Sequence, residues 1–178
     1  AVLIGRLCNQ TDVIVGMAAA GQSVDGNEDM VGHAVSLLPM RVGWSEGESF
    51  SAILQRTQSH VFDAMEHQRL TYGELLKCLD VPRDPSRPAL VSVVFNIDQP
   101  VPADQMQFHG LATQTCTNPR RFENFELFVN ALESPAGLTL QAQFNTDLFD
   151  ASTVTRWFEA YEHLLKGLAA SMAQPVHS

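Results

Sequence analysis

Two long stripes of apolar residues at helical spacing, separated by short runs rich in branched side chains, limit this chain to a mixed α/β architecture. Between Phe50 and Gln68 the residues Phe50, Ile53, Leu54, Thr57, Val61, Ala64 and Met65 return every three or four positions, as one face of a helix does. A second stripe, from about Ala151 to Ala170, runs through Val154, Trp157, Phe158, Tyr161, Leu165 and Leu168, with Asp150 placed to cap it. Asp12–Ala19, Val35–Val42 and Leu90–Ile97 are short, branched and bounded by turn residues, so they read as strands. Leu90–Ile97 is expected at the centre of the sheet. Pro39 cannot donate a ladder bond, so its strand should be an edge or end there. Phe125–Glu133 and Leu138–Thr146 read as a hairpin across Ser-Pro-Ala-Gly; Leu138, Leu140, Ala142 and Phe144 point to one face and Thr139, Gln141, Gln143 and Asn145 to the other. The interleaving predicts an α/β lobe, a mixed β-sheet with amphipathic helices packed on one face.

Smaller signals fill in the chain. Val2, Leu3, Ile4 and Leu7 fit the last turns of a helix, as if cut from a longer polypeptide. Ser49 or Ser51 can cap the long helix. Thr71 with Glu74 forms a capping box that starts a short helix over Tyr72–Leu79. Three prolines make Val81–Pro88 an irregular connector. Ala20–Val31 reads as an exposed loop, and weak strand signal returns near Gln107–Cys116. Residues 1–170 are expected to form the lobe, with 171–178 a tail that frays or starts a linker.

Composition narrows the function classes. The 178 residues suit one domain or one lobe of a larger one. With 11 Lys+Arg against 20 Asp+Glu, the net charge of -9 repels phosphate backbones and argues against nucleic acid and anionic membrane as partners. The longest apolar run, Val13–Ala20, is too short to span a bilayer. Cys8, Cys78 and Cys116 stand far apart with no CxxC pair, which points to a reducing, cytoplasmic setting without structural disulfides. The opening residues do not form a signal peptide.

Taken singly, no motif gives chemistry. None of the six histidines stands in a doublet. His60, Asp63 and His67 fall on roughly one helix face, but without HExxH or a third ligand they read as a polar face, and no metal is expected. There is no G-x-S-x-G elbow, and the glycines lack phosphate-cradling spacing.

Taken together, several segments resemble a known family. "VGHAVSLLPMR" (Val31–Arg41), "HQRLTYG" (His67–Gly73) and "RDPSRPAL" (Arg83–Leu90) occur in the order and spacing of the second half of a nonribosomal peptide synthetase condensation domain. "DVIVGMAAAGQS", "VSVVFNID" and "FNTDLFD" extend the likeness over nearly the whole chain. The resemblance implies a chloramphenicol-acetyltransferase-like lobe, one of two that meet in a V. The family's catalytic histidine lies in an HHxxxDG motif of the first lobe, and no such string occurs here. The resemblance therefore implies no catalytic residue in this chain, a fragment of an acyltransferase-type enzyme that is inactive alone. His33, Ser36 and Arg41 are expected to line the substrate channel, with Gly32, His67, Gln68, Arg83, Asp84 and Arg87 as structural motif residues. Family members often carry Asn at the place of Ser36 and an aromatic at that of His33. Arg83, Asp84 and Arg87 are expected to pin the connector by ion pairs, and His67 and Gln68 to close the long helix. The implied partners are the N-terminal lobe, peptidyl carrier proteins with their phosphopantetheine arms, and an adjacent adenylation domain. No cofactor is bound directly. An exposed seam would favour self-association. Epimerisation and heterocyclisation lobes, a carrier-binding module without chemistry, and a free-standing acyltransferase using His33 or His109 are the alternatives.

Overall fold

The computed structural model describes residues 1–21, 26, 29–82, 84–98, 108–113, 120–134 and 137–176. Five strands form one mixed sheet: β1 (Asp12–Ala20), β2 (Val35–Gly43), β3 (Val93–Asp98), β4 (Leu127–Ser134) and β5 (Gly137–Phe144). Among the described residues, four helices accompany them: α1 (Val2–Cys8), α2 (Phe50–Glu66), α3 (Tyr72–Cys78) and α4 (Ala151–Ala170). The sheet order is β2-β1-β3-β4-β5. The β1–β3 and β3–β4 pairs are parallel, and the two outer pairs antiparallel. β3 is thus the central strand and β2 an edge, as Pro39 requires.

Period-2 alternation sorts the side chains. Ala19, Leu38 and Met40 face α2, whose Val61 and Ala64 pack on them. Leu127 and Val129 face α4 through Val154, together with Leu140, Ala142 and Phe144 of β5. Trp157 meets Phe149 edge-on, with ring centroids 5.0 Å apart. A third cluster joins α1, α2 and the start of the sheet through Val2, Val13, Val42, Trp44 and Ile53. The other face of the sheet carries Gly16, Leu37 and Val94. Val91, from the connector before β3, lies over them and is wholly buried.

Local chemistry sets the element ends. Ser49 caps α2, its hydroxyl accepting from Ala52 N–H, and Ser51 hydrogen-bonds Ser49 instead of capping. The Thr71–Glu74 capping box forms as expected. Tyr72 donates its hydroxyl to Ala89 C=O and so ties α3 to the connector; burial raises the phenol's pKa.

Four expectations need correction. β3 begins at Val93, not Leu90, because Leu90 adopts φ 65° and Val91 N–H turns back to Ala89 C=O. Asp150 occupies the N-cap of α4, but its side chain makes no capping bond. Within Gln107–Cys116, the described residues 108–113 form no strand; Gly110 at φ 77° and the Leu111 N–H to Phe108 C=O bond make a turn. Residues 171–176 do not fray. Val176 is buried at 4% exposure among Val2, Trp44 and Ile53, its N–H donates to Glu48 C=O, and Pro175 bridges to Ser49. Deleting residues 172–178 is therefore expected to cost about 2 kcal/mol, the worth of one buried valine, read as a lowered urea midpoint.

Candidate functional site

Strand direction gathers one edge of the sheet. β1, β3 and β4 run parallel, so Ala20, Asp98 and Ser134 end at the same side, and antiparallel β2 enters there at Val35. In open sheets with parallel strands, ligands bind outside the carboxyl ends. His33 is exposed two residues before β2, and Ser36 is the second residue of that strand, half-buried on the helix-facing side. Gly21 fits tightly beside them: its N–H donates to Ala34 C=O at 2.7 Å, and a Cβ at this position would collide with that oxygen.

The same edge holds a polar cluster. Asn96 and Asn130 are register partners on β3 and β4, on the face away from the helices. Asn96 Nδ2 donates to Asn130 Oδ1 at 2.9 Å and to Asp98 Oδ1 at 2.8 Å, and Asn130 Nδ2 donates to Asp98 Oδ2 at 2.8 Å. Sequence reasoning missed this cluster. A signal was present, since asparagine is depleted in strands and here sits inside two apolar runs, "VVFNI" and "LFVNAL".

Arg41 is not brought to this edge. It lies near the opposite end of β2, paired with Asp12 through Nε at 2.9 Å and Nη2 at 2.5 Å. The bond holds the Asp12 carboxyl below its ordinary range and the Arg41 guanidinium above its own. Both side chains border an open cleft of about 610 Å³ beside α2, where Arg56 also pairs with Glu48 and donates to Gly43 C=O. His60 and Asp63 line this cleft. Among the described residues, no group of three or more His, Cys, Asp or Glu could hold a metal ion.

The remaining motif residues are spread over the fold. A Cβ on Gly32 would meet nothing within 4 Å, so packing does not demand glycine there. His67 is the C-cap residue of α2, and Gln68 Nε2 donates to Met65 C=O at 2.8 Å. Arg83 lies outside the described residues. Asp84 accepts from Ser86 N–H at 2.9 Å and Oγ at 2.6 Å; these bonds lower its pKa, and Arg87 has only the smallest effect on it. Arg87 reaches instead to Glu126, just before β4, at 3.0 Å. Cys8 and Cys78 are free and exposed. No helix among the described residues is long and apolar enough to cross a membrane.

Comparison with known proteins follows the same lines. Surfactin synthase subunit 2 of Bacillus subtilis (strain 168) is 29% identical over 177 residues, 99% of this chain and 5% of that protein. Tyrocidine synthase 3 of Brevibacillus parabrevis is 31% identical over 171 residues, 94% of this chain and 3% of that protein. Among solved structures, the condensation domain from Monacolin K polyketide synthase MokA superposes with a TM-score of 0.82 at 20% identity, over 99% of this chain and 41% of that one. The X-domain in its complex with OxyB from teicoplanin biosynthesis gives 0.81 at 18%, over 98% and 40%. This chain thus spans about two-fifths of those solved chains and a small part of the synthases. The condensation domain family model matches residues 1–178, and the chain belongs to that family.

Proposed function

We propose that this chain is the C-terminal lobe of a condensation domain and forms one wall of the cleft in which a nonribosomal peptide synthetase makes amide bonds. One observation carries the reading: the family model matches every residue, yet the chain covers 41% of a solved condensation domain and contains no HHxxxDG string. The acceptor's amine nitrogen attacks the carbonyl carbon of the donor thioester, the C–S bond breaks, and the amine's proton leaves with the thiol. Both reactants arrive on phosphopantetheine arms of carrier proteins, so most of the acceleration is proximity and alignment. The proton acceptor belongs to the other lobe. This lobe contributes the carboxyl edge of its sheet, with His33 and Ser36 lining the channel and Asn96, Asp98 and Asn130 holding β3 and β4 in register beside it. Arg41, bound to Asp12, acts structurally. An adenylation domain adjoins the lobe in a cytoplasmic synthetase.

Mixing this chain with a condensation N-terminal lobe that carries HHxxxDG is expected to give amide product from loaded carrier proteins. The chain alone is expected to give none above the uncatalysed level. Absence of product from a mixture in which both lobes are folded and bound would contradict the proposal. A second reading, a module that binds proteins without chemistry, draws support from the solved complex of the like-folded X-domain with OxyB. That module would bind a loaded carrier protein as tightly without the other lobe as with it.

A further inference from the structure

Strand register alone does not account for the polar cluster on β3 and β4. Asparagine is poorly suited to strands, and an apolar cross-strand pair would hold the same register. Asn96 uses both Nδ2 hydrogens, one on Asn130 Oδ1 and one on Asp98 Oδ1, and Asn130 uses one on Asp98 Oδ2. The Asn96–Asn130 bond already ties the two strands. The other two bonds hold the carboxylate, one on each oxygen, both at 2.8 Å. Asp98 is therefore the group being oriented, and the two amides are its supports.

The oriented carboxylate is open on its outer side. Asp98 is the last residue of β3, exposed at the carboxyl edge of the sheet. A carboxylate accepts at about four lone-pair sites, so the two amide bonds leave each oxygen room for another donor. Among the described residues, no lysine, arginine or histidine pairs with it. The same face continues across β5 as side-chain amides. Gln141 stands opposite Asn130, and Gln143 stands opposite Phe128. Gln143 Oε1 is buried with no hydrogen-bond donor among the described residues. A face of acceptors short of donors suits a ligand that brings N–H groups and positive charge.

We infer that Asp98, held by Asn96 and Asn130, receives the ammonium or guanidinium of a basic side chain on one of the two aminoacyl groups joined in the channel. The inference rests on the function proposed above, which puts the carboxyl edge of the sheet on that channel. The supports matter to the energetics. A loose surface ion pair gives up side-chain entropy on forming and gains little, whereas a carboxylate fixed beforehand has less entropy left to lose.

The first test uses the two-lobe pair, with a lysyl or a norleucyl group loaded in turn at the donor and the acceptor position. Norleucine is the same chain without the ammonium. At one of the two positions, Asp98→Asn is expected to lower the lysyl-to-norleucyl rate ratio by at least about fivefold. High salt is expected to shrink the parent's ratio in the same direction. Asn130→Val, which keeps the carboxylate and removes one support, is expected to give an intermediate ratio. A purely structural role would lower both rates together and leave the ratio unmoved. The second test needs neither the other lobe nor a thioester. In the chain alone, propylammonium chloride is expected to shift the side-chain amide resonances of Asn96 and Asn130 more than propanol does, and Asp98→Asn to abolish the difference. A ratio unmoved by Asp98→Asn at both positions would overturn the inference. So would amide resonances that respond no more to the ammonium than to the alcohol. Responsive amides with no product from any loading would sink the proposed function alone.

Discussion

Val94→Asp is expected to leave little folded protein at 37 °C. Val94 sits on the central strand at 1% exposure, between Gly16 and wholly buried Val91, on the face away from the helices. A carboxylate there would lie among the apolar side chains of Val91 and Leu37, and Arg120, over the ring of the neighbouring Phe128, is already paired with Glu123. Leaving a buried charge uncompensated costs about 4 kcal/mol, a large part of the roughly 5–15 kcal/mol that holds a domain together. Burial raises such a carboxyl's folded-state pKa above its unfolded value. The unfolded state therefore releases the proton first, and the deficit grows as pH rises through the ordinary carboxylate range and shrinks in acid. Ile97→Asp, three residues along the same strand at 61% exposure, is expected to cost under about 1 kcal/mol. Urea unfolding of both variants at pH 4 and pH 7 checks the contrast.

Gly5→Val is the second large effect, and two opposing magnitudes decide its sign. Replacing a helix-interior glycine ordinarily gains up to about 1 kcal/mol of propensity for alanine and less for valine. Here the new Cβ would stand 2.5 Å from Gln10 C=O and collide with the Trp44 ring. Neither neighbour yields easily. Gln10 N–H is bonded to Gly5 C=O at 2.8 Å, Asn9 is already left-handed at φ 52°, and Trp44 is buried in the cluster with Val2, Val13 and Ile53. Overpacking therefore wins, at about 3 kcal/mol. The thermal midpoint is expected to fall accordingly, with Gly5→Ala intermediate. A Gly5→Val protein as stable as the parent would mean that α1 does not pack on the Trp44 corner.

Periodicity made the elements legible and left their neighbours hidden. The stripes of α2 and α4 and the alternation in β4 and β5 each report a buried face, because side-chain direction repeats with the backbone. Pro39 announced an edge for a purely covalent reason. Nothing local says that β3 inserts between β1 and β4, since strand order is set by crossovers. Val176 looked like tail because a lone valine after a proline has no period, yet it closes the cluster around Trp44. The spacing of Leu165 predicts burial, but Leu164 and Leu168 take the packing against that cluster and Leu165 stays 38% exposed. His33 and Ser36 lie beside the carboxyl ends of the parallel strands, whereas Arg41, five residues beyond Ser36, is carried by strand extension toward the far end. Asn96 and Asp98 lie inside the VSVVFNID segment, but their pairing with Asn130 across two strands is visible only once the register is known.

On the function proposed above, the reacting imidazole comes from outside this chain, and amide formation in the reconstituted two-lobe pair is the measurement that decides it. Replacing the histidines of HHxxxDG in the partner lobe is expected to lower the single-turnover rate by about 10²-fold or more, the usual worth of a positioned acid–base group. His33→Gln, which alters a channel wall, is expected to stay within about tenfold of the parent pair, and His109→Ala to leave the rate unchanged. A pair that keeps its rate without the partner's histidines but loses it with His33→Gln or His109→Ala, or amide formation by this chain alone, would contradict the claim.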